Sequence, residues 1–109
     1  TYRFGLQAGN GKIFFGLGDG SGVTGNALVN TNQWTHIAAT FDEATDQVFL
    51  YVNGILDASG SATQSPGSNA CPPAIGAEHQ AGCVPGTIFF NGTIDEVAIW
   101  KNKTHNFIK

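Results

Sequence analysis

Charge is scarce in this 109-residue chain: only 12% of its residues are Asp, Glu, Lys or Arg, and the formal net charge is -3. The five basic residues, Arg3, Lys12, Lys101, Lys103 and Lys109, form no stripe that could track a phosphate backbone, which argues against nucleic-acid binding. No apolar run is long enough to span a bilayer as a helix, and no segment repeats apolar residues at the spacing of an amphipathic helix. Cys stands at two, Pro at four and Met at zero. Gly is abundant at 15, and Asn, Thr and Ser are plentiful, the balance of a turn-rich β protein. The length suits one domain that buries roughly two-thirds of its unfolded surface.

The stretch that organises the chain is WTHIAATFDEATDQVFLYVNG, Trp34 to Gly54. Side chains alternate along an extended backbone, so Thr35, Ile37, Ala39 and Phe41 fall on one side of a first arm, and Val48, Leu50 and Val52 on one side of a second. The polar run Asp42 to Asp46 turns the chain between them. Asn53-Gly54 predicts a type I′ turn leading into a third arm, Ile55 to Ala58. The opposite face, with Trp34, His36, Ala38, Phe49 and Tyr51, is too apolar to be left to water without a reason. It is covered, or it binds something.

Before this hairpin, Tyr2 to Gln7 and Lys12 to Leu17 read as strands joined across Ala8-Gly9-Asn10-Gly11, each with its own apolar side. Gly16 to Gly25 reads as a glycine-rich connection with Asp19 as its only charge. It lacks the Lys and the following helix of a phosphate-binding loop. Asn26 to Asn30 is a short strand candidate. Ser59 to Pro73 is a long polar loop, Ala74 to Ala77 a short buried strand, and Ile88 to Trp100 the longest extended segment. In that last segment Phe90, Gly92 and Ile94 share one parity and Val97 and Ile99 the other, so either an apolar stripe continues through a bulge near Asp95-Glu96 or both faces of the strand are covered. Residues 101–109 read as a polar tail, anchored only by Phe107 and Ile108.

Cys71 and Cys83 lie in proline-flanked loop sequence. A disulfide between them would close a ring of about a dozen residues, stabilise by roughly 2–3 kcal/mol and imply an oxidising compartment. Two free thiols are the alternative; a zinc site is disfavoured, because only His79 lies between them.

The pair NQWTHIAATFDEATDQVFLYVNG and IGAEHQ...FFNGTIDEVAIW, in this order and over nearly the whole of residues 2–100, resembles the laminin-G-like, concanavalin A-like jelly-roll domains, which include the pentraxins. The resemblance implies an all-β fold: an antiparallel β-sandwich with Ile37, Ala39, Phe41, Val48, Leu50 and Val52 in a shared core. It also implies further strands ahead of Tyr2, so the segment reads as the later part of such a domain, with open sheet edges that another chain could cover.

Three chemistries follow from this likeness. Some relatives are glucanases, but a retaining glycosidase needs two carboxylates about 5 Å apart on one side of the sugar, and adjacent Asp95 and Glu96 point to opposite faces of a regular strand. No catalytic residue is assigned. In pentraxin-like relatives the loop after the IGA strand supplies calcium ligands; the matching positions here are Glu78, His79 and Gln80. Glu78 and Gln80 fit an oxygen-loving ion, with Asp19 as a distant contributor, and His79 does not. Carbohydrate recognition would use exposed rings for sugar C–H faces, and Trp34, His36, Phe49 and Tyr51 are its candidates. The competing reading is that these rings pack under further strands. Asn91-Gly92-Thr93 and Asn102-Lys103-Thr104 are acceptor sequences for N-glycosylation at Asn91 and Asn102 in a secreted protein. The expectation is a secreted or cell-surface, non-catalytic lectin or adhesion module. Its partner would be a carbohydrate or an extracellular protein, and a self-assembling structural subunit is the competitor.

Overall fold

The parity of the first half of the chain is realised as two three-stranded antiparallel sheets. A computed structural model describes residues 2–7, 9–17, 21–63, 74–79 and 85–100, and its chain contacts divide into two units, Thr1–Asn69 and Ala70–Lys109. In the first unit, β1 (Tyr2–Leu6), β2 (Lys12–Leu17) and β3 (Gly22–Leu28) form one sheet in that order; β4 (Ile37–Asp42), β5 (Gln47–Val52) and β6 (Ile55–Ser61) form the other. The second unit contains a two-stranded antiparallel pair, β7 (Ala77–His79) and β8 (Pro85–Phe89). No described residue is helical. The fold is an antiparallel β-sandwich of jelly-roll class, as expected.

Register explains the core. Tyr2, Phe4 and Leu6 stand opposite Leu17, Phe15 and Ile13, so the apolar sides of β1 and β2 share one face. Ile37, Ala39 and Phe41 likewise stand opposite Val52, Leu50 and Val48. The two faces meet at Ile13, Phe15, Leu17, Val23, Val48, Leu50 and Ala62, all buried, with Ile37, Ala39, Phe41, Val52 and Ala58 packed against them. The rings of Tyr2, Phe15 and Phe41 extend this contact, with centroids 5.6 to 6.2 Å apart in tilted and edge-on geometries.

The turns follow their local chemistry. Asn53 (φ 51°) and Gly54 (φ 79°) form the two-residue loop between β5 and β6, both in the left-handed conformation of a type I′ turn. Between β4 and β5, the Asp42 carboxylate accepts the Ala44 N–H at 3.0 Å, and Asp46 closes the loop at φ 59°.

Elsewhere the elements shift from the sequence expectation. The glycine-rich stretch does not stay a loop: β3 begins at Gly22, because Val23 fills the core and Gly22 lets β3 pass close to β2, where a side chain would meet the Phe15 carbonyl. Consequently the Asn26–Asn30 strand is found earlier in the chain. β6 runs on to Ser61, and β7 starts only at Ala77, after Gly76 turns the backbone with φ 81°. The extended segment expected over 88–100 is a strand only to Phe89. Phe90 donates a last bond to the Gly76 carbonyl at 2.8 Å, and residues 90–100 carry no strand. The expected irregularity at Asp95-Glu96 is present, though not as a bulge within a ladder: Asp95 Oδ1 accepts the Glu96 N–H at 2.8 Å and Glu96 takes φ 56°.

Two real bulges lie in the sandwich. Between Lys12↔Leu28 and Phe14↔Thr24, β3 carries two more residues than β2; between Leu50↔Ala58 and Tyr51↔Leu56, β6 carries one more than β5. That extra residue is Asp57. Its carboxylate accepts the N–H groups of Asn26 (2.7 Å) and Ala27 (3.0 Å), which the bulge of β3 has turned out of its ladder. The Asn26 side-chain amide returns a bond to the Asp57 carbonyl at 2.8 Å. Glycines allow this approach: a side chain at Gly25 would strike the Asp57 carboxylate, and one at Gly60 would come within 2.9 Å of Val23.

Candidate ligand-binding face

The side of the β4–β5–β6 sheet away from the core is set by the same alternation. Rows across it read Ala38, Tyr51, Leu56 and then Thr40, Phe49, Ser59, followed by Asp42, Gln47, Ser61. Phe49 and Tyr51 are therefore neighbours on one strand, about 7 Å apart along it, the repeat of same-face positions. Phe49 is 36% exposed, Tyr51 is half-buried and Leu56 is exposed. Phe49 is flanked by hydroxyls on both sides, Thr40 on β4 and Ser59 on β6, whereas Tyr51 stands between Ala38 and Leu56. An aromatic strip bordered by short polar side chains can take the C–H face of a ring-shaped ligand while the borders receive its hydroxyls.

His36 and Trp34 precede β4. Asn53 holds His36 against the end of the sheet: the His36 N–H donates to Asn53 Oδ1 at 3.0 Å, and the Asn53 N–H donates to the His36 carbonyl at 2.7 Å. Backbone pairing thus places His36 at the Asn53 end of the strip, and its side chain is exposed. Trp34 is 69% exposed, on chain that the left-handed Asn32 (φ 59°) leads in. The structure puts Phe49 and Tyr51 on one face of β5, two positions apart, with His36 at the end of their row; among the described residues no ring contact joins Phe49, Tyr51 and Trp34 to one another.

For the other candidate residues the picture is narrower. The backbone of Glu78 lies in β7 beside His79. Gln80 and Asp19 lie outside the described residues, as do Cys71, Cys83, Asn102 and the 101–109 tail. Among the described residues no three His, Cys, Asp or Glu side chains gather as a metal site would require. Asn91 is exposed, just beyond β8. Reading single segments missed Leu56 and Ser59, because only the register of β6 across β5 puts them on the strip. A longer third arm starting at the Asn53-Gly54 turn was the signal that could have found them.

A family model described as the concanavalin A-like lectin/glucanases superfamily matches residues 1–105. No curated protein and no solved structure matches the chain.

Proposed function

Because the chain belongs to the concanavalin A-like lectin/glucanase superfamily, we propose that it is a non-catalytic binding module of extracellular type, with carbohydrate as its ligand and the outer face of β4–β5–β6 as its site. The observation that carries this reading is the Phe49 and Tyr51 pair on the side of the sheet turned away from the core, with Thr40 and Ser59 bordering Phe49. Phe49 and Tyr51 stack on sugar C–H faces, and the hydroxyls, with His36 at the end of the row, orient the ligand. Trp34, exposed on the chain ahead of β4, supplies a further ring. Lectin-type adhesion is the corresponding role, and an extracellular protein partner is the alternative ligand.

The absence of catalysis is part of the same proposal. It is supported by the geometry at Asp95-Glu96, where one carboxylate is engaged by the neighbouring N–H and the backbone between them is left-handed. A calcium ion would be held at Glu78 and Gln80, with Asp19 as a distant contributor, and would serve loop geometry or ligand hydroxyls. A disulfide between Cys71 and Cys83 and glycans on Asn91 and Asn102 belong to the same extracellular setting.

The test is a glycan array followed by titration calorimetry with Phe49→Ala and Tyr51→Ala. Removal of either ring should weaken the best glycan about tenfold, the loss of roughly 1.4 kcal/mol expected for one aromatic stack. The variants should still unfold cooperatively. An array on which the parent binds nothing removes the carbohydrate reading. Glycan binding that survives both substitutions moves the site elsewhere.

A further inference from the structure

The chain contains three Asn-Gly pairs, Asn10-Gly11, Asn53-Gly54 and Asn91-Gly92. Such pairs are the sequence most prone to spontaneous deamidation, since a glycine amide carries no Cβ to hinder its attack on the preceding side chain. In water without structure the three would react alike. Their environments here are unlike.

Asn10 is tied at both ends of its side-chain amide: Oδ1 accepts the Lys12 N–H at 3.0 Å and Nδ2 donates to Gln7 Oε1 at 2.9 Å. Asn53 sits inside the type I′ turn, with Oδ1 accepting the His36 N–H and its own N–H bound to the His36 carbonyl. Either residue must release these bonds, and Asn53 must also leave a closed hairpin turn, before the following amide can reach its Cγ. Asn91 is exposed, lies beyond the end of β8, and makes no hydrogen bond among the described residues; Gly92 is exposed beside it.

We propose that Asn91 is the site of spontaneous deamidation and isoaspartate formation in the folded chain, while Asn10 and Asn53 are protected. The Gly92 backbone nitrogen forms a bond to Asn91 Cγ and gives up its proton. The Cγ–Nδ2 bond breaks, and ammonia leaves carrying that proton, so a five-membered succinimide closes. Water then adds to one of the two imide carbonyls, giving aspartate or, with the backbone routed through the side chain, isoaspartate. The change adds a negative charge and erases the Asn91-Gly92-Thr93 acceptor sequence, so a glycan attached at Asn91 and this reaction exclude one another. The proposal is independent of any ligand.

The experiment uses the full chain made in a host that does not glycosylate it, incubated in mildly alkaline buffer and followed by peptide mapping with mass spectrometry, with isoaspartyl methyltransferase as the probe for isoaspartate. Asn91 should convert at least about tenfold faster than Asn10 or Asn53, a factor equal to ~1.4 kcal/mol of extra barrier at the protected sites. In denaturant the three rates should converge, and Gly92→Ala should slow conversion at residue 91 in the folded chain. Conversion of Asn10 or Asn53 at a rate equal to that of Asn91 in the folded chain overturns the proposal. So does an Asn91 that resists in the folded chain but reacts in denaturant.

Discussion

Replacing Asp57 by Ala isolates the contact that joins the two bulged strands. The carboxylate accepts two backbone N–H groups of β3, from Asn26 at 2.7 Å and Ala27 at 3.0 Å. Bonds to a charged acceptor contribute about 1.5–3 kcal/mol each, and because Asp57 is only half-buried the lower end applies, giving about 3 kcal/mol for the pair. For a domain of this size that is a fall in melting temperature of about 12–20 °C. Asp57→Asn keeps one oxygen acceptor but turns an NH₂ group toward the second N–H, so it should recover no more than half. Thermal and urea unfolding followed by circular dichroism measure both. Gly25→Ala adds a coupled check: in the parent its methyl strikes the carboxylate and lies 2.9 Å from Ile13 Cγ1, so its cost should fall, without vanishing, in the Asp57→Ala background. An Asp57→Ala chain melting within about 2 °C of the parent would mean that the bulge amides are satisfied without the carboxylate, and the account of how the sheets are joined would be wrong.

Two further substitutions probe the packing on either side of this contact. Leu50→Ala empties a fully buried position in the middle of β5 and should cost about 2–5 kcal/mol in chemical denaturation, the spread reflecting how far Val48 and Ile13 close over the space. Gly60→Ala puts a methyl 2.9 Å from Val23 Cγ2 and should destabilise by about 1–3 kcal/mol, which Val23→Ala should partly relieve in a double-mutant cycle.

The parts of the fold legible in the sequence are those that period-2 alternation controls. Ile37, Ala39 and Phe41 opposite Val52, Leu50 and Val48 follow from parity once a hairpin is assumed, and the Asn53-Gly54 turn supplies the hairpin that continues from it. What escaped reading depends on pairs far apart in the chain. Asp57 meets the amides of Asn26 and Ala27 thirty and more residues earlier, and nothing local to Asp57 marks it as different from a solvated carboxylate. Gly22 and Gly25 looked like loop residues for the same reason: their small size serves neighbours that the sequence does not display beside them. Over 90–100 the error ran the other way, since apolar residues suggested a strand where the left-handed Glu96 and the absence of a ladder partner among the described residues give none. At the candidate site, Phe49 and Tyr51 were legible by parity, whereas Leu56 and Ser59 required the β5–β6 register.

Aromatic residues occupy the outer side of both sheets, and their surroundings separate the two. On β1–β2–β3 the Phe14 ring lies across glycine backbone: a Cβ at Gly22 would come within 2.9 Å of its Cζ, and one at Gly16 would strike the ring outright. The Arg3 guanidinium carbon stands 5.7 Å from the ring centroid. Phe14 thus spends its surface on its own sheet, and the glycines beneath it are the condition for that. On β4–β5–β6 the positions flanking Phe49 are Thr40 and Ser59, too short to cover a ring, and among the described residues no aromatic or cationic group stacks on Phe49 or Tyr51. A sandwich selected only for stability could treat its two outer faces alike, capping or deleting rings that gain little from water. The uncovered Phe49 beside the half-buried Tyr51 on one sheet, against the seated Phe14 of the other, is the asymmetry on which the proposed carbohydrate site rests.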